Sequence, residues 1–138
     1  MPRQQPTDAD YQRLLEFRTR LRRFLRWSEE QARNQDLTPA QHQLLLAIKG
    51  HPGPTAPSIG DVAGYLLLRH HSAVGLIDRA ESAGLVKRTI DPDRRTTVRL
   101  SLTDEGARRL EALSEHHLRE VPRLATAMRS LFADLDSE

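Results

Sequence analysis

The chain has 138 residues, 38% of them apolar and 29% charged, which is the length of one domain (1–138) with enough apolar surface for one core. It has no cysteine, which excludes a disulfide framework, a thiol nucleophile and any Cys-ligated zinc or iron–sulfur site and fits a reducing cytoplasm. Net charge is only +2, apolar runs such as Tyr65–Leu68 are far too short to cross a bilayer, and Met1-Pro-Arg-Gln-Gln lacks a signal-peptide core; a cytoplasmic protein with no membrane partner is expected.

In chain order, Tyr11, Leu14, Leu15, Leu21, Phe24 and Leu25 recur at helical spacing and predict a long first helix over 8–35, with Arg20, Arg22, Arg23 and Arg26 on its other faces. Thr38-Pro39-Ala40-Gln41 reads as a capped start of a second helix ending near Gly50. Two Gly and three Pro between Gly50 and Pro57 predict a turn or short edge strand. Ser58 with Asp61 opens a short third helix through Val62, Ala63, Leu66 and Leu67. A fourth helix, about 69–83, carries Ala73, Leu76, Ile77 and Ala80 on its core face and stops at Gly84. Val86–Ile90 and Thr97–Leu102 alternate as strands around Asp91-Pro-Asp-Arg-Arg-Thr96, giving a hairpin at about 86–102 with a charged tip. Thr103 with Asp104 and Glu105 opens a last helical region, 104–136, with Leu110, Leu113, Leu118, Val121, Leu124, Ala125, Leu131 and Leu135 as its stripe, in which Pro122 predicts a kink or restart.

This order of elements is that of a helix-turn-helix extended by a wing, a mainly α (α+β) fold with the DNA-binding lobe at 38–102 and long flanking helices. Charge supports it by location. Residues 69–99 hold seven basic side chains and two histidines against four acids, whereas 100–138 hold eight acids against five bases. Arginine forks match phosphate geometry and release counterions on binding. On the fourth helix the outward positions are His70, His71, Val74, Gly75, Asp78 and Arg79, with Ser72 close to its N-terminal turn and Arg69, just before the helix, counted with them as a DNA-contact candidate. The His and Ser side chains suit base edges or phosphates, Val74 a thymine methyl, and Gly75 close backbone approach. Arg94 and Arg95 at the wing tip suit phosphates or the minor groove, with Asp93 orienting one of them.

The segments Leu76-Ile-Asp-Arg-Ala-Glu-Ser-Ala-Gly-Leu-Val86, Asp93-Arg-Arg95 and Leu102-Thr-Asp-Glu-Gly106 resemble the MarR family of bacterial transcriptional regulators, and the likeness extends over nearly the whole chain. The resemblance implies a homodimer joined by the first and last helices. It implies a repressor of pseudo-palindromic double-stranded operators, often released by small aromatic or phenolic effectors. Trp27 is the expected wall of an effector pocket. This chain departs from the family pattern at Arg69, where a small capping residue is usual, at Gly75, where a long polar side chain is common, and in a wing one residue longer, which suggests a bulge. Direct thiol sensing is excluded.

Two other readings stand beside this one: a winged helix used for protein contact or scaffolding, and a metal-responsive regulator. The metal reading has little behind it, because there is no HExxH and His42, His51, His116 and His117 are scattered in sequence, so no metal and no cofactor is expected. Ser72 and Ser101 form no nucleophile elbow and no glycine-rich phosphate loop is present, so no catalytic residues and no enzyme activity are expected.

Overall fold

The structure, a computed structural model, describes residues 4–133; Leu135 and the end of the expected 104–136 helix lie outside the described residues, as does the Met1–Arg3 start. The order is α1 (Asp8–Asn34), α2 (Pro39–Gly50), α3 (Ile59–Leu66), α4 (His70–Ser82), β1 (Val86–Ile90), β2 (Val98–Leu102) and α5 (Asp104–Leu131).

Four helix starts are written in the sequence. Thr7, Thr38 and Ser58 each accept a hydrogen bond from the backbone N–H three residues on, while Asp10, Gln41 and Asp61 reach back to the capping residue's own N–H. Thr103 Oγ1 likewise accepts from Gly106 N at 3.0 Å. The exception is α4, whose capping residue Arg69 supplies no side-chain bond, so its first N–H groups are left open to an outside acceptor.

The core lies where α2, α4, the hairpin and the start of α5 meet: Leu44, Leu45, Ile77, Leu85, Leu100 and Leu113 are fully buried, and the expected core face of α4 is buried throughout. The hairpin is antiparallel and pairs one-for-one from Val86↔Leu102 to Ile90↔Val98. The expected bulge is therefore absent. On the other edge of β2, Ser58 forms an isolated bridge with Arg99 and Pro57 O accepts from Leu100 N at 2.9 Å. The Pro-rich connector thus acts as a rudimentary third strand. The restart expected at Pro122 does not occur, because α5 runs through it; the carbonyl it leaves free belongs to Leu118, on an exposed face where water can replace the lost bond.

Asp36 and Leu67 are the described non-glycine residues in left-handed backbone, and of the two Leu67 is the apolar one. Leu67, between α3 and α4, adopts φ 55° and ψ 41° and is 92% exposed. A side chain in the left-handed region costs about 1–2 kcal/mol, part of which glycine would lose again to its unfolded-state entropy. Leu67→Gly should therefore raise stability by about 0.5–1 kcal/mol. A urea midpoint that falls instead would show that Leu67 makes a stabilising contact.

Candidate nucleic-acid interface

α4 turns Ala73, Leu76, Ile77 and Ala80 inward, which leaves His70, His71, Ser72, Asp78 and Arg79 exposed along the opposite side and Val74 and Gly75 half-buried between. Gly75 opens space on that face, and Arg79 fills it: its Nη1 lies 3.3 Å from where a Cβ at position 75 would stand. Arg79, one turn further on, thus occupies the space beside Gly75.

The wing is tied to α4 by an ion pair between Arg88 on β1 and Asp78. Its tip is organised by Asp91. One carboxylate oxygen accepts from the backbone N–H groups of Asp93 (2.8 Å) and Arg94 (3.3 Å), and the other accepts from Arg99 Nε at 3.0 Å. The Asp93 backbone bond first, Arg99 second and the Arg94 backbone bond after it hold the Asp91 carboxyl below the usual carboxylate range. Arg99 Nη1 also donates to Ala56 O, which pins the wing to the connector. The orienting role expected of Asp93 therefore falls to Asp91: among the described residues no contact joins the Asp93 carboxylate to either neighbouring arginine. Arg94 and Arg95 are exposed and carry no ion pair among the described residues. Two unneutralised cations on a braced tip, on a wing tied to a helix with an uncapped start, form a surface suited to a polyanion.

Trp27 lies away from this surface, on α1. It packs against Phe24 (centroids 5.8 Å apart) and against His117 of α5 at 4.8 Å. With Arg20, Arg23, Glu120 and Arg123 it lines a cleft of about 360 Å³ between α1 and α5. Nearby, the structure gathers residues that sequence reading left scattered. His42 of α2 and His117 stand 4.9 Å apart, and Ser28 Oγ of α1 lies 2.6 Å from His117 Nε2. Both Ser28 and His42 are buried. A signal was present, since His42 precedes Leu45 by three and His117 follows Leu113 by four, each in step with a buried stripe. Among the described residues no group of three His, Asp or Glu side chains is placed to hold a metal ion, and no helix is long and apolar enough to cross a membrane.

Apolar side chains remain uncovered on both long helices: Tyr11, Leu14, Leu15 and Leu25 on α1, Leu118 and Val121 on α5.

Residues 35–95 match the MarR family model. No curated protein matches the chain significantly. Among solved structures, AbsC, a MarR family transcriptional regulator from Streptomyces coelicolor, is similar over 98% of this chain and 97% of its own, with TM-score 0.74 at 18% identity. Another MarR family transcription regulator covers 95% of both chains with TM-score 0.71 at 20% identity. A point mutant of S. aureus MepR bound to an oligodeoxyribonucleotide aligns over 89% of this chain and 92% of its own, with TM-score 0.66 at 18% identity.

Proposed function

From a chain whose residues 35–95 are a MarR-family segment and whose fold is that of MarR-family transcription regulators, we propose a homodimeric repressor that binds a pseudo-palindromic double-stranded operator. The observation that carries the reading is the pairing of the exposed α4 face with the two free arginines of the braced wing. α4 reads the major groove through Arg69, His70, His71, Ser72, Val74, Gly75 and Arg79, and Arg94 and Arg95, beside Asp93, meet the adjacent backbone or minor groove. The uncovered apolar stripes of α1 and α5 support dimerisation, since six large apolar side chains on two neighbouring helices favour a second copy of the same surface. A twofold dimer sets the recognition helices about 34 Å apart, one helical turn of DNA. The cleft beside Trp27, with its arginines and aromatic wall, suits a small aromatic effector whose binding alters the angle of the dimer helices.

The test is gel-shift titration of DNA flanking the protein's own gene at two salt concentrations, with excess random competitor. A discrete, salt-sensitive complex supports the reading, whereas no preference over random DNA leaves the fold with a protein-contact role. Within the reading, labour divides between base and phosphate contacts. His71→Ala is expected to lower selectivity at one or two base positions, by about 1–3 kcal/mol each, with little change in non-specific binding. Selection from a randomised operator library checks this; an unchanged consensus would remove His71 from base readout.

A further inference from the structure

The His42–His117 junction joins the two halves of the molecule. Leu113 O can only accept, so His117 Nδ1, 2.8 Å away, carries the hydrogen, and in the neutral ring Nε2 accepts from Ser28 Oγ. That ties α5 to α1, with Trp27 and Phe24 packed on the ring. His42 brings α2, and with it the DNA-binding lobe, against this pair. It is 4% exposed, it lines a cleft with Ser28 and Glu29, and its ring makes no hydrogen bond to another side chain or backbone group among the described residues. The other charged groups facing the junction stand at its edges: Glu29 of α1 at a cleft that His42 lines, and Arg20, Arg23, Glu120 and Arg123 at the cleft beyond Trp27. None is bonded to His42, so a proton there gains no partner from the protein while the junction is closed, and only the water of the cleft it lines can meet it.

We infer that this junction is a proton-operated coupling: taking up a proton at His42 parts α2 from α1 and α5, turns the DNA-binding lobe relative to the dimer helices, and so weakens operator binding in mild acid. Burial first, and His117 second, lower His42 to about 4 in the closed junction. An opened, hydrated His42 returns to about 6.5. The sign follows. Above pH 6.5 both states are neutral and the closed junction keeps its full advantage; as pH falls from 6.5 towards 4 only the open state takes the proton, and the closed state loses ground. At about pH 5 the open-to-closed ratio rises about 30-fold over its neutral value.

The chain has one tryptophan, and it lies against His117, so fluorotryptophan at Trp27 gives a single fluorine NMR signal that reports the junction in the operator-free full chain. Relaxation dispersion should show a minor state whose population rises about 30-fold from about pH 7.5 to pH 5, and no such rise in His42→Gln. Should that variant fail to fold, His42→Leu serves in its place. A population independent of pH, an equal rise in the variant, or no exchange at either pH overturns the proposal. Its consequence for DNA rests on the operator-binding reading. Operator affinity should fall in acid more steeply for the wild type than for the variant, and failure to bind DNA at any pH would remove that reading while leaving the Trp27 result to stand or fall alone.

Discussion

Gly106→Ala is expected to be the most damaging single-methyl change in the described chain. A Cβ at position 106 would overlap Leu85 O and stand 3.0 Å from Leu85 C, backbone atoms that no rotamer change can move. The contact lies at a joint that other bonds hold closed. Thr103 N donates to the same Leu85 carbonyl at 3.0 Å, Thr103 Oγ1 donates to Gly84 O at 2.6 Å, and Gly84 itself sits at φ 75° after α4. Relief requires α5 to move off Leu85, opening a region where Leu85, Val86 and Leu110 are buried. Overpacking of this kind costs about 3 kcal/mol or more, a loss of roughly 10 °C in melting temperature for a domain of this size. Gly64→Ala is the control, because nothing lies within 4 Å of a Cβ there and the position is helical and exposed. It should gain up to about 1 kcal/mol. Thermal melts of the two variants that moved in the same direction would show that the α4–wing–α5 joint is not tight.

The same joint shows what a sequence of this kind conceals. Caps at Thr38, Ser58 and Thr103, the core stripe of α4 and the hairpin around Asp91–Thr96 were legible because each depends on residues within a few positions of one another. Gly106 looked like one more small residue in a recognisable motif, since its constraint comes from a backbone some twenty residues away. The wing tip was legible as charged but not as organised. Adjacency suggested Asp93 as the partner of Arg94 or Arg95, whereas the turn geometry points two backbone N–H groups at Asp91 and brings Arg99 across the strand to it. The histidines of the junction were invisible as a group because α2 and α5 meet only in the fold. Long-range juxtaposition, rather than local conformation, is the part that residue patterns left out.

At the wing, replacing both Arg94 and Arg95 with Ala should lower affinity for every duplex, specific or not, by about 100-fold or more at low salt. A dimer then loses four cations, so if each meets a phosphate the slope of log affinity against log salt becomes shallower by up to about 3.6. Asp91→Asn separates placement of these cations from their charge. It removes a negative charge from a surface that would meet a polyanion, so electrostatics alone predicts tighter binding. Yet Asp91 accepts from Asp93 N, Arg94 N and Arg99 Nε, and an amide cannot hold Arg99 as a carboxylate does. Loosening the tip spreads Arg94 and Arg95 over many directions and should weaken binding about tenfold while the salt slope stays near that of the wild type, because the same cations still reach phosphate. Titrations of one duplex over a salt series distinguish the two variants. Tighter binding by Asp91→Asn would mean that the arginines act as diffuse charge and that the ordered tip has no part in recognition.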